Sequence, residues 1–163
     1  MEKVDGSINK LKGEITLKQI VEINDEIYKQ CKCIHMINSE FIYTDMKLDN
    51  ILYSNIDDNI KIFLGDLGSA IPNIALDKYS FTKALPPFVD KRVDTIKTNA
   101  EYIFLWNKII IYAEFADIYI PPSHVTMTLE NVYAICNSIN EHYVSEMPNI
   151  CEDFIKEMKM RDE

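Results

Sequence analysis

The sequence predicts a mainly α-helical fold with a small β-hairpin, and three patterns lead to that prediction. After Thr16 apolar residues recur at three- and four-residue steps, residues 98–120 are apolar or aromatic on nearly every helical face, and two short apolar runs flank a turn-forming stretch at residues 55–59. Long helical periodicity indicates helices, and short apolar runs around a turn indicate a hairpin. With 163 residues, 47% of them apolar, one compact domain is expected.

The first helix is predicted over residues 16–39, with Thr16 as its N-cap. Residues 51–53 and 60–64 are the two predicted hairpin strands. Residues 69–94 contain three prolines and no sustained period, so a long ordered loop with at most short helical turns should follow the hairpin.

Three helices are predicted in the last part of the chain. Residues 98–120, which include Trp106, should form a helix that is buried on most sides and ended by Pro121 and Pro122. Two further helices are predicted over residues 128–140 and 149–160.

Charge and hydropathy exclude several classes of protein. The chain has 17 basic and 26 acidic residues, a formal charge of -9, which argues against a broad nucleic-acid or anionic-membrane surface. No stretch reaches the ~18 apolar residues of a membrane span, and the N-terminus lacks the apolar region of a signal peptide. These features predict an intracellular, cytoplasmic protein. Scarce arginine beside abundant lysine, isoleucine and asparagine is typical of AT-rich viral or parasite genomes, and a viral protein would act in the host cytoplasm.

The cysteines and histidines predict neither disulfides nor a structural metal site. The C-x-C spacing of Cys31 and Cys33 is not that of a zinc knuckle or a redox pair, and Cys136 and Cys151 are distant in sequence. The three histidines share no ligand spacing with the cysteines. All four cysteines are therefore interpreted as reduced thiols.

One segment carries the pattern of a catalytic site. Residues 43–52 read Tyr-Thr-Asp-Met-Lys-Leu-Asp-Asn-Ile-Leu, and an Asp-Leu-Gly motif begins at Asp66, 16 residues after Asn50. Lys47 lies two residues after Asp45, Asn50 lies five after it, and a predicted hairpin separates the two motifs. Taken singly, these residues are ordinary turn caps and strand exits. Their common register favours a functional interpretation.

This arrangement resembles the catalytic loop and the metal-binding motif of protein kinases, H-R-D-x-K-x-x-N and D-F-G. The resemblance implies a kinase-like C-terminal lobe that uses ATP and Mg²⁺. Asp45 would accept the proton of the substrate hydroxyl and Lys47 would steady the transferred phosphoryl group. Asn50 and Asp66 would bind magnesium, and Gly68 would give the backbone freedom behind the metal site. Lys47 favours the Ser/Thr class and argues against a small-molecule phosphotransferase of the same superfamily.

The resemblance extends along the chain at lower specificity. Residues 1–15 resemble the hinge between kinase lobes and its lead-in, and residues 16–39 the helix before the catalytic loop, with His35 as a packed residue. Residues 43–68 would hold the catalytic loop, hairpin and metal motif. Residues 69–97 would form the activation segment, which closes at residues 82–87, and residues 98–160 the helical subdomain.

Several positions depart from the kinase pattern. Tyr43 and Thr44 replace His-Arg, which removes the arginine that would meet an activation-loop phosphate, whereas Leu67 in place of Phe is a mild change. No Glu follows Pro87, so the end of the activation segment lacks its usual ion pair. Glu101 is the candidate for the acid that normally begins the buried helix.

The sequence contains no Gly-rich loop and no strand lysine, the parts of the N-terminal lobe that grip the ATP phosphates. The isolated chain is therefore expected to bind Mg-ATP weakly. Two functions are left open: a Ser/Thr kinase lobe whose N-lobe comes from upstream or another chain, and a non-catalytic pseudokinase or decoy lobe that binds a partner kinase or protein substrate. Such a lobe is expected to expose the apolar floor of the cleft around Ile51, Leu52 and Phe63.

Overall fold

A computed structural model describes residues 4–37, 41–43, 46–56, 59–65, 70–72, 86–87, 96–121, 127–143 and 151–162. The fold is mainly helical with a small antiparallel sheet. In chain order the described elements are β1 (Gly6–Ser7), a 3₁₀ segment (Ile8–Glu14), α1 (Leu17–Ile37), β2 (Phe41–Tyr43), a 3₁₀ turn (Leu48–Asn50), β3 (Ile51–Ile56), β4 (Asn59–Leu64), β5 (Ala70–Pro72), α2 (Ile96–Phe115), α3 (Leu129–His142) and α4 (Glu152–Arg161).

A capping box starts α1. The Thr16 hydroxyl accepts a hydrogen bond from the Gln19 backbone N–H at 3.2 Å, and the Gln19 side-chain oxygen accepts one from the Thr16 N–H at 2.9 Å. This reciprocal pair satisfies two backbone donors that a helix start leaves unpaired. The predicted cap is confirmed, and α1 ends at Ile37, two residues before the predicted boundary.

The predicted hairpin is present and belongs to a three-stranded sheet of order β1-β3-β4. Strands β3 and β4 pair from Ile51 opposite Leu64 to Ile56 opposite Asn59. On the other side of β3, β1 places Gly6 opposite Tyr53. Asp5 extends that contact, because its N–H donates to the Tyr53 carbonyl at 2.8 Å. The first fifteen residues thus contain a short strand and a 3₁₀ segment that the sequence pattern did not predict.

A second, two-stranded sheet joins β2 to β5, with Phe41 opposite Pro72 and Tyr43 opposite Ala70. Strand β5 lies inside the stretch predicted to be a loop without strands, so that prediction is wrong at residues 70–72. In a two-stranded sheet β5 is an edge strand, where proline is tolerated, and Pro72 is its last residue. Of residues 73–94 the structure describes only 86 and 87.

Helix α2 is the centre of the core, as its all-round apolar composition predicted. Trp106 is only 2% exposed, and α2 packs against α1, α3 and α4. Asn24 of α1, fully buried, donates from its side chain to the Lys108 carbonyl at 3.0 Å. On α3, the Tyr143 hydroxyl donates to the Tyr112 carbonyl at 2.9 Å. Each of these bonds gives a buried polar group the partner it needs.

The end of α2 differs from the prediction. The helix ends at Phe115, not at Pro121, because Asp117 adopts a left-handed conformation with φ 57°. The Ile118 N–H donates to the Ala113 carbonyl at 2.8 Å and the Asp117 N–H to the Glu114 carbonyl at 3.3 Å, the bond pattern of a Schellman motif. An ion pair from Lys12 reaches the Asp117 carboxylate.

The two C-terminal helices are confirmed with shifted boundaries. Thr128 caps α3 by accepting a hydrogen bond from the Asn131 N–H at 3.1 Å, and α3 runs two residues past the predicted end. Helix α4 begins at Glu152, three residues later than predicted. Among the described helices none is both long and apolar enough to cross a membrane.

Candidate functional site

The structure describes part of the predicted catalytic constellation. Lys47 and Asn50 are described, whereas Asp45, Asp66 and Gly68 lie outside the described residues. The geometry of the site is therefore described through Lys47, Asn50 and the residues that flank the catalytic-loop and Asp-Leu-Gly motifs.

The segment from Met46 to Asn50 is held by two buried apolar side chains. Met46 is fully buried and Leu48 is 1% exposed, whereas Lys47 between them is half-buried. A tight turn follows, in which the Asn50 N–H donates to the Lys47 carbonyl at 3.0 Å. Alternate burial thus fixes the backbone on both sides of Lys47, the pattern needed to hold a side chain at a defined place.

The buried helix contributes an acid to this segment. Glu114 of α2 accepts a hydrogen bond from the Leu48 backbone N–H at 2.9 Å. A carboxylate acceptor makes this bond stronger than one between neutral groups. Glu114 was not predicted from the sequence, although a single acid among the apolar residues 109–115 was a usable signal, because buried acids usually have a partner.

Glu101, the acid that the sequence suggested for the start of this helix, contacts α1. Its carboxylate accepts a hydrogen bond from the Tyr28 hydroxyl at 2.9 Å and lies 3.7 Å from the Lys32 amine. Burial, and then the hydrogen bond to Glu101, raise the pKa of Tyr28 to about 12. Within the described residues, Glu114 and not Glu101 bonds the predicted catalytic segment from α2.

Gly65 lies immediately before Asp66 and is hydrogen-bonded to Asn50. Its N–H donates to the Asn50 carbonyl at 2.7 Å. A Cβ at this position would lie 3.1 Å from two carbons of the Leu52 side chain and 3.2 Å from the Asn50 carbonyl oxygen. The close approach of Gly65 to Asn50 and Leu52 therefore leaves little room for a side chain, which gives this glycine a structural reason.

The β2–β5 ladder brings the other flanks of the two motifs together. Tyr43 pairs with Ala70, and this pair is the end of the ladder nearest both motifs. Asp45 follows Tyr43 by two residues and Gly68 precedes Ala70 by two. Tyr43 before Asp45 is therefore paired with Ala70 after the Asp66–Gly68 motif, and Asn50 after Asp45 is bonded to Gly65 before that motif.

The expected apolar floor is present in part. Leu52 and Phe63 are cross-strand partners, so they share a face, and both are half-buried. Ile51 is 0% exposed, which corrects the prediction that it belongs to an exposed surface. Successive strand residues point to opposite faces, so Ile51 enters the core where Leu52 does not.

Among the described residues, which do not include Asp45 or Asp66, no group of three or more His, Cys, Asp or Glu side chains could hold a metal ion. Comparison of the chain with protein-family models, with curated proteins and with solved structures found no match.

Proposed function

We propose that this chain is the C-terminal lobe of a Ser/Thr-type protein kinase, which transfers the γ-phosphate of ATP to a protein hydroxyl when a complementary N-lobe is present. The proposal rests on the motif spacing in the sequence together with one geometric observation, the approach of the two motifs through their described neighbours.

The residue before Asp66 is hydrogen-bonded to Asn50, and Tyr43, two residues before Asp45, pairs with Ala70 just beyond the Asp66–Gly68 motif. Consecutive Cα atoms are about 3.8 Å apart, so short stretches of chain separate each acid from these anchors. Such connectivity supports a shared site for Asp45, Lys47, Asn50 and Asp66.

The residue types suit phosphoryl transfer. Asn50 and Asp66 offer an amide and a carboxylate oxygen, the hard ligands that magnesium prefers. Bound magnesium would neutralise charge on the phosphate oxygens of ATP. Lys47 would meet the negative charge of the transferred group, and Asp45 would orient the substrate hydroxyl and accept its proton. The hydrogen bond that the Leu48 N–H donates to Glu114 would hold the catalytic segment against α2.

A second candidate is a non-catalytic lobe that binds a partner kinase or its substrate. The partly exposed pair Leu52 and Phe63 supports it, because an apolar face left open on one side suits a protein contact. The two candidates differ in whether phosphate is transferred.

Phosphate incorporation into a generic basic protein substrate, with Mg-ATP binding followed by calorimetry, separates them. We expect weak, millimolar Mg-ATP binding by the chain alone, and loss of both binding and any phosphate transfer in Asp66→Ala. Asp49→Ala is the matched control, because Asp49 is exposed and outside the proposed site. Transfer that persists undiminished in Asp66→Ala would overturn the catalytic role. Binding without transfer by the wild-type chain, even with a kinase N-lobe added, would favour the second candidate.

A further inference from the structure

A groove of about 870 Å³ runs between α1 and the outer edge of β4, on the side of the hairpin away from β1. We call it the α1–β4 groove. Its helical wall includes Glu22, Ile23 and Glu26, and its strand wall includes Ile60 and Ile62. Lys47 and Asn50, the two predicted site residues that the structure describes, are not among the residues that line it, so its occupancy can be tested separately from phosphate transfer.

Strand β4 is an edge of the three-stranded sheet, and its outer hydrogen-bonding groups face this groove. In an antiparallel pair alternate residues direct both N–H and C=O away from the partner strand. On β4 these outward-facing residues include Ile62 and Leu64. The Gln30 side chain of α1 donates to the Ile62 carbonyl at 2.8 Å and accepts from the Leu64 N–H at 2.8 Å. Ile60 has the same parity, so its N–H and C=O also face outward.

The Gln30 amide presents one donor and one acceptor to β4, as a residue of a neighbouring strand would. It occupies only the end of the edge nearest Leu64. Among the described residues no group bonds the N–H of Ile62 or the N–H and C=O of Ile60. The groove therefore contains a row of backbone groups that an added strand could complete, the arrangement used in β-augmentation.

The negative charge of the helical wall favours an added strand with basic side chains. Glu22 is exposed and Glu26, one helical turn further on, is half-buried and accepts a bond from Gln30 at 3.1 Å. The strand wall carries Lys61, whose amine lies 5.3 Å from the centre of the Phe63 ring. Residues four apart on a helix are separated by about 6 Å along its axis, and alternate residues of a strand lie about 6.8 Å apart, so the two carboxylates match basic side chains at alternate positions.

We propose that the α1–β4 groove binds an extended segment of a partner protein, which adds a strand to the free edge of β4 and places alternating basic side chains against Glu22 and Glu26. Buried Ile23 and half-buried Ile60 give apolar contacts between these charges. The recognition combines backbone hydrogen bonds with charge, so it requires both an unmodified peptide backbone and basic residues at every second position.

The test titrates the ¹⁵N-labelled full chain with the synthetic peptide acetyl-Lys-Val-Lys-Thr-Lys-Val-amide and follows backbone amide shifts and affinity. We expect shifts concentrated at Ile60 and Ile62. We also expect at least a tenfold loss of affinity when glutamate replaces the lysines or when alternate peptide nitrogens are methylated. Methylation keeps the charge and removes the strand donors, so it tests backbone pairing directly.

Variants of the protein complete the experiment. Glu22→Lys, at an exposed position, should weaken binding of the lysine peptide. The double variant that adds Glu26→Lys should lower the affinity by at least tenfold. Glu141→Lys makes the same charge change at an exposed site of α3 and should leave affinity unchanged. The proposal is overturned if millimolar lysine peptide does not bind, or if the methylated and unmethylated peptides bind with equal affinity. It is also overturned if the amide shifts occur at residues outside the groove, or if sedimentation shows that a second copy of the chain occupies the edge.

Discussion

At the scale of single residues, Gly65 is a position where the surrounding structure leaves little room for a side chain. Its backbone lies against Asn50 and Leu52, and the nearest contact that cannot swing away is the Asn50 carbonyl oxygen. Gly13 gives the opposite case, because nothing lies within 4 Å of a Cβ built there. The two glycines therefore form a matched pair for substitution.

Gly65→Ala should destabilise the protein by about 1–3 kcal/mol, the usual cost of forcing extra atoms into a filled site. Gly13→Ala should change stability by at most about 1 kcal/mol, with a gain expected because alanine restricts the unfolded chain. Urea unfolding of both variants measures the difference. Equal midpoints for the two variants would show that Leu52 and the Asn50 backbone shift without cost.

At the residue scale, spacing along the chain can be read from the sequence, whereas contacts between distant elements cannot. Lys47 and Asn50 lie on one short anchored segment, as their separation of three residues required. The bond between Glu114 of α2 and this segment was not predicted, and Glu101, the acid suggested for the start of the buried helix, contacts α1, because helical position in a sequence does not show which neighbouring element each face meets.

At the scale of elements, an aromatic cluster joins α2, α4 and the described residues 86–87. The Tyr102 ring stacks on Phe154 with centroids 5.1 Å apart, and the Arg161 guanidinium lies 4.2 Å from the Tyr102 ring centre. The Tyr102 hydroxyl donates a hydrogen bond to the Pro87 carbonyl. The segment that lacks a glutamate after Pro87 is thus attached to the helical core by a neutral bond.

Tyr102→Phe keeps the stacked ring and removes only this partly buried bond, so we expect a loss of about 0.5–1.5 kcal/mol, the usual net contribution of one hydrogen bond. Tyr133→Phe on α3, where the side chain is 37% exposed, should change stability by less than about 0.5 kcal/mol. Thermal and urea unfolding of the two variants give the comparison. A Tyr102→Phe protein as stable as Tyr133→Phe would show that water replaces the hydroxyl at Pro87.

Element prediction worked for helices with strong local signals and missed features set by tertiary pairing. The capping box at Thr16 and the apolar faces of α1 and α2 are readable because each depends on residues a few positions apart. Strand β5 has three residues and exists through its pairing with β2, nearly thirty positions away. The end of α2 was misplaced because its left-handed residue is Asp117, without the glycine that usually marks such a stop.

At the scale of the whole molecule, burial of tyrosines around α2 links folding to alkaline pH. Burial is the largest cause that raises the pKa of Tyr112 and Tyr143 to about 12, and it also raises the pKa of Tyr102. Burial likewise raises the pKa of the Cys31 thiol to about 12. In each case the folded state disfavours the ionised form, whereas the unfolded chain ionises near the ordinary value.

The sign of the effect follows from that difference. A folded pKa above the unfolded value means that the stability is fully present below the unfolded pKa and is lost as the pH rises through the folded pKa. For the tyrosines this window runs from the ordinary value of 10.0 to about 12. Each buried tyrosine contributes a slope of up to about 1.4 kcal/mol per pH unit inside it.

We therefore expect the free energy of unfolding, measured in urea between pH 8 and pH 11.5, to fall steeply above pH 10. Tyr112→Phe should reduce the slope by up to about 1.4 kcal/mol per pH unit, because one ionising group is removed while the backbone carbonyl that accepts from Tyr143 stays in place. Tyr119→Phe, at a side chain that is 76% exposed, is the control and should leave the slope unchanged. A slope that Tyr112→Phe does not alter would mean that Tyr112 ionises in the folded protein as readily as in the unfolded chain, and the alkaline loss would then belong to other groups.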